Sequence, residues 1–127
     1  MRIQAILIAF LTCTLVGAQG NTQMSPAARA YLEEALNYMQ QSALNKKSIN
    51  WSALREQTLA RAKDAKTTWD TYPAIAYALT QLGEKHSWLA LPDNFPPDRR
   101  PAIEAEIKKI LARPDPEKLS PFILRRK

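Results

Sequence analysis

Apolar residues are distributed along this chain in several distinct rhythms. From Ile3 to Val16 they are nearly continuous: Ile3, Ala5, Ile6, Leu7, Ile8, Ala9, Phe10 and Leu11, then a less pure extension. Further on, Ala28, Tyr31, Leu32, Ala35, Leu36 and Met39 recur at intervals of three and four, which predicts a helix with one buried stripe. Ser25-Pro26 opens it, with serine as N-cap and proline in the first turn. The pattern fades near Leu44-Asn45, and Lys46-Lys47-Ser48 reads as a loop. Asn50 is the expected cap of a second helix, with Trp51, Leu54, Leu59 and Ala62 inward and Arg55, Glu56, Arg61 and Lys63 toward water. Asp70 or Thr71 is expected to cap a third, with Tyr72, Ile75, Ala76, Leu79 and Leu82 as its stripe and Gly83 as a left-handed stop.

After His86 the rhythm breaks. Trp88-Leu89-Ala90-Leu91 is a short apolar patch, and Pro92, Pro96 and Pro97 interrupt any regular element. Asp98 is the expected cap of a candidate fourth helix bearing Ile103, Ile107, Ile110 and Leu111, closed at Arg113-Pro114. Short connections between amphipathic helices imply antiparallel neighbours. The expected fold is therefore all-α: a small three-helix bundle with a candidate fourth helix and a loosely held C-terminal tail. The segments read as 1–18 signal peptide, 19–25 linker, 26–91 bundle, and 92–127 proline-rich connection, short helix and basic tail.

Composition agrees with this reading and narrows it. Only three glycines occur in 127 residues, and few β-branched runs, so strands and glycine-rich phosphate loops are not expected. The N-terminal run follows Arg2 and ends in the small residues Gly17-Ala18, the pattern of a secretory signal peptide cleaved after Ala18. At about 14 residues it is shorter than the roughly 20 that span a bilayer; an uncleaved anchor is the alternative. Cys13 lies inside this run, so a cleaved product has no cysteine. Export to a periplasm or the exterior is expected. The net charge of +6 is concentrated at the end of the chain, in Arg113, Lys118, Arg125, Arg126 and Lys127. No aromatic stacking pattern accompanies these charges, so a solvated tail is expected rather than a nucleic-acid partner, with no stable membrane span after cleavage.

Candidate chemistry is sparse. His86 is the one histidine and the one side chain that titrates near neutral pH unperturbed. Ser87 beside it does not make a dyad, since a nucleophile must be brought to its base by the fold. One histidine and no mature cysteine leave carboxylates alone as metal ligands, without calcium-loop spacing, so neither metal nor cofactor is expected. Glu33-Glu34 and Glu104 with Glu106 read as solvated helix faces. Trp51, Trp69 and Trp88, with Tyr31, Tyr38, Tyr72 and Tyr77, read first as interhelix packing and second as the lining of a ligand groove.

Four segments in order carry a resemblance: Tyr31-Leu32-Glu33-Glu34-Ala35-Leu36, Ile49-Asn50-Trp51-Ser52-Ala53-Leu54-Arg55, Tyr72-Pro73-Ala74-Ile75 and Leu82-Gly83-Glu84-Lys85-His86-Ser87. Together they resemble the N-terminal helical region of the C-terminal-processing and tricorn-like serine peptidases, over about residues 28 to 91. Glu84 stands where that family commonly has aspartate. Resemblance to the tricorn-like branch implies His86 as general base for a serine supplied by a separate catalytic domain, which has no counterpart in this chain; in the processing-peptidase branch a lysine takes that role. The expected function is accordingly a truncated or split form of such a peptidase, without proteolytic activity of its own, whose partners are a catalytic domain or a protein or peptide substrate. That reading expects an exposed apolar face on the third helix and around Trp88-Leu89. The alternative, a free-standing exported binding module, expects a fourth helix that covers this face. A membrane-associated basic protein, resting on the tail and an uncut signal, ranks third.

Overall fold

The computed structural model describes residues 23–83 and 89–112. Four helices pack together: α1 (Pro26–Ser42), α2 (Trp51–Arg61), α3 (Tyr72–Gln81) and α4 (Arg100–Leu111), with 3-10 turns at Lys46–Ser48 and Thr68–Thr71. The signal peptide, the linker as far as residue 22 and the basic tail lie outside the described residues. Among the described residues, no helix is long and apolar enough to cross a membrane.

α1 begins as its sequence dictates. Ser25 holds extended dihedrals, its hydroxyl accepts from the Ala28 N–H at 3.1 Å, and Pro26 fills the first turn. Ala28, Leu32, Leu36 and Met39 are buried, while Tyr31 and Ala35 flank them and stay partly open. The N–H of Ser25 also donates to the Ala65 carbonyl at 2.9 Å. This joins the start of α1 to the chain just past α2, so the two run antiparallel.

α2 is capped by Asn50, whose Oδ1 accepts from the Ala53 N–H at 3.1 Å. Its inner face matches the expected one at Leu54 and Ala62, both buried, and departs from it elsewhere. Leu54 and Thr58 are fully buried, whereas Trp51 and Leu59 are only half-buried. Thr58 tolerates that depth because its hydroxyl donates to the Leu54 carbonyl one turn back, at 2.7 Å. Arg55 does not simply face water as expected: its guanidinium reaches α1, 2.6 Å from a Glu33 carboxylate oxygen and 2.8 Å from Asn37 Oδ1.

α3 is the centre of the molecule. The expected stripe is too narrow, since Tyr72, Ala74, Ile75, Ala76, Tyr77, Ala78 and Gln81 are all buried. Neighbours on several sides account for this, for α3 packs against α1, α2 and α4. The Tyr31 and Tyr72 hydroxyls meet at 2.9 Å, and Asn45 Nδ2 lies 3.4 Å from the Leu82 carbonyl. Contacts at matching ends of α1 and α3 make these two helices parallel. Gly83, with φ 69°, supplies the left-handed stop that the sequence suggests.

The caps expected from Asp70 or Thr71 and from Asp98 are not used. Asp70 instead folds the turn ahead of α3: its Oδ2 accepts from the N–H groups of Thr67 at 2.8 Å and Lys66 at 3.0 Å. Thr71 occupies the cap position but makes no capping bond. Asp98 is exposed, and α4 starts two residues later, with Arg99 at its cap position and Pro101 in its first turn. The candidate fourth helix does form and lies on α3. Ile107 is buried there, Ile103 and Ile110 pack beside it, and Leu111 stays 43% exposed.

Candidate functional site

The two flanks of α3 differ. On one, Tyr72 and Ala76 join Phe95 and Ile107 in a closed cluster that Trp69, Leu91 and Ile103 complete. Phe95, 2% exposed, is its hub, meeting Trp69 at 5.0 Å and Tyr72 at 5.6 Å, both edge to face. Phe95 lies among Pro92, Pro96 and Pro97, where no periodic pattern marks it as core. A turn in which its N–H bonds the Pro92 carbonyl at 3.0 Å carries the ring inward. Arg99 closes the flank by pairing with Asp70 and donating to the Thr67 hydroxyl at 3.1 Å. Burial opposes ionisation of Asp70, but the Arg99 guanidinium, the Thr67 and Lys66 N–H groups and the Thr67 hydroxyl outweigh it and hold the carboxyl below its ordinary pKa.

On the other flank, among the described residues, α1 and α3 leave an open groove of about 500 Å³, within the usual size of a small-ligand site. One wall is Tyr31, Ala35, Tyr38, Met39 and Ser42 of α1; the other is Tyr72, Ile75, Leu79 and Leu82, with Leu89 and Ala90 at the end. Ala35 gives the α1 wall a small side chain, Ile75 and Leu79 give the α3 wall larger ones, and Tyr38 is 71% exposed. From Tyr31 to Ser42 the α1 wall runs roughly 17 Å at the helical rise. Apart from the tyrosines, none of these described lining residues is ionisable. Two other depressions have charged rims, Arg29, Lys63 and Asp64 at one and Arg100, Glu104 and Lys108 at the other.

Among the described residues four hydroxyl-bearing side chains line the groove, Tyr31, Tyr38, Ser42 and Tyr72, and the hydroxyls of Tyr31 and Tyr72 pair. Burial, then the hydrogen bond to Tyr31, push the Tyr72 phenol well above its ordinary range, so it stays neutral, and either hydroxyl can donate within the pair. Of the seven aromatics proposed from sequence as packing or groove lining, Tyr31, Tyr38 and Tyr72 line this groove. Trp69 belongs to the closed cluster, Tyr77 lies under the Arg61 guanidinium at 3.7 Å, and Trp51 donates its indole N–H to the Lys46 carbonyl at 2.7 Å. Trp88 and the candidate base His86 lie outside the described residues. Of the candidate carboxylates, Glu33 pairs with Arg55 and Arg29 and Glu104 with Arg100, while Glu34 and Glu106 are exposed on their helices. Among the described residues, no three or more histidine, cysteine, aspartate or glutamate side chains are grouped to hold a metal ion.

What these features define is a packed all-α unit with one closed and one open flank on its central helix. No protein-family model matches the chain, and neither the curated proteins nor the solved structures include a match to it.

Proposed function

We propose that this chain is an exported helical binding module that takes up an apolar peptide segment in the groove between α1 and α3. The observation that carries this reading is the contrast around α3. Its Tyr72–Ala76 flank is covered by α4, which favours a self-contained module over a domain that has lost its covering partner. Its Ile75–Leu79 flank keeps an aromatic-rimmed cleft. Export rests on the N-terminal run from Arg2 to Ala18, and N-terminal sequencing of the mature protein is expected to begin at Gln19. Binding is tested by titrating the 15N-labelled protein with a capped pentapeptide of alanine, leucine and phenylalanine, and with a counterpart whose leucines are glutamates. Saturable shifts at Ala35, Met39, Leu79 and Leu89 with the first peptide alone are expected. Shifts confined to α4, or none that saturate, overturn the reading.

A second reading keeps the peptidase resemblance: the helices serve as the front region of a processing peptidase whose catalytic domain is supplied separately. It draws support from three of the resembling segments. Glu33 and Arg55, each within one of them, pair at 2.6 Å; Asn50 caps α2; and Gly83 stops α3. Under this reading, serine-peptidase catalytic sequence is encoded next to this reading frame, and an unrelated neighbour counts against it. An active-site serine probe is expected to leave the isolated chain unlabelled.

A further inference from the structure

We infer that residues 89–112 form a strap that undocks as one unit from a self-sufficient three-helix core, baring the face formed by Trp69, Tyr72 and Ala76. The buried side chains divide the molecule unequally. In the main core every buried member lies within residues 28–82, and Leu89 and Ile110 reach it only as partly buried neighbours. The strap buries two side chains of its own, Phe95 and Ile107, both in the smaller cluster with Tyr72 and Ala76. Undocking therefore opens the small cluster and leaves the large one closed.

Hydrogen bonding draws the same boundary. The strap's backbone bonds are internal: Phe95 to Pro92, Arg99 and Arg100 to Pro96, Ile103 to Arg99 and Ala112 to Lys108. Arg100 also turns inward, to the Pro92 carbonyl at 2.6 Å and to Glu104 at 3.0 Å. Among the described residues Arg99 alone crosses, pairing with Asp70 and donating to the Thr67 hydroxyl at 3.1 Å. Release thus breaks no backbone hydrogen bond to the core. A freed helix of 12 residues is marginal in water, so α4 melts on leaving and its amides lose protection together. Such an opening costs less than unfolding the core. Leu89 and Ala90 also form the end of the α1–α3 groove, so undocking dismantles that end whether or not the groove is filled.

Native-state hydrogen exchange of the processed chain, from Gln19 to Lys127, tests the strap. The Ile107, Ile110 and Leu111 amides are expected to exchange as one group, about tenfold or more faster than Leu36 and Ala78 after correction for intrinsic rates. Ile49→Val trims the main core alone. It should speed Leu36 and Ala78 about fivefold and leave the α4 group within about twofold, because docked and undocked states share that core. Arg99→Gln should speed the α4 group about fivefold. Thiol labelling reads the bared face directly, since no native cysteine follows Ala18. Ala76 sits in the small cluster and Ala78 in the main core, both buried. The thiol of Ala76→Cys should react about tenfold faster than that of Ala78→Cys. Equal acceleration of α4 and core amides by Ile49→Val, or equal labelling at the two positions, overturns the separable strap. Rates graded from Leu111 inward and indifferent to Arg99→Gln mean fraying of the helix end, and overturn it too.

Discussion

The two flanks of α3 solve the same problem differently. Toward α4, the aromatic rings of Trp69, Tyr72 and Phe95 interlock, Ile107 fills the remaining space, and the Asp70–Arg99 pair seals the edge. Toward α1, Ala35, Ile75 and Leu79 line a seam that stays open among the described residues. Below that seam the core is as tight as elsewhere, for Leu32, Leu36 and Ala78 are at most 1% exposed. The opening is thus confined to the rim of the α1–α3 contact. The comparison teaches that closure here depends on side-chain size at a few positions rather than on helix count. A closed flank contributes stability, whereas an open one holds surface in reserve.

Breaking the closed flank should have the largest effect. Phe95→Ala removes a 2% exposed ring from the centre of the cluster and is expected to cost about 3–5 kcal/mol. Tyr38→Ala, on a residue 71% exposed at the rim of the open flank, is expected to change stability by less than about 0.5 kcal/mol. Urea unfolding of both variants measures the contrast. If Phe95→Ala behaves like Tyr38→Ala, α4 is not part of the cooperative fold, and the covered flank loses its meaning.

A smaller effect is expected at the seal. The Asp70 carboxyl is held below its ordinary pKa in the folded chain, so the ionised form favours folding. As pH falls below the unfolded value of about 3.9 the unfolded chain gains the proton first. The contribution is therefore complete above about pH 5 and is lost as pH drops through the folded value. Asp70→Asn should cost about 1–2 kcal/mol at neutral pH, chiefly through the weakened turn at Thr67. The gap between the two proteins should narrow below pH 4. Since the Asp70 and Arg99 side chains are 23% and 35% exposed, high salt should narrow it as well. Thermal melts across pH and salt check both. A gap that stays constant to pH 2 would mean that Asp70 acts by shape alone.

Much of the fold was legible, and what was missed has physical reasons. Ser25, Asn50 and Gly83 announce helix ends by local chemistry, and the structure uses all three. Asp70 and Asp98 carry the same local signal, yet tertiary contacts decide otherwise: Asp70 is recruited by Arg99, and α4 begins beyond Asp98. The deep burial of Thr58 was hidden because its polarity is cancelled by its own helix. The all-round burial of α3 did have a signal, the nearly unbroken run Tyr72-Pro73-Ala74-Ile75-Ala76-Tyr77-Ala78-Leu79. A single stripe was the wrong template for it. The groove was legible only as a set of aromatics. It arises from the parallel pairing of α1 with α3, which no local pattern encodes, and from one alanine standing opposite larger side chains.

That alanine offers the finest test of the comparison. Ala35→Leu gives α1 the bulk it lacks where the walls approach, with almost no change in helix propensity. Because Ala35 is only partly buried and faces open space, the added side chain can enter the groove without displacing Ile75 or Leu79. Stability should then change by no more than about 1 kcal/mol. Titration with the apolar pentapeptide should show loss of the groove shifts, while the amides around Phe95 keep their positions. A variant that folds equally well and still binds the peptide would show that the occupied surface lies elsewhere. Retained folding with abolished binding would tie the open flank's capacity to one missing side chain.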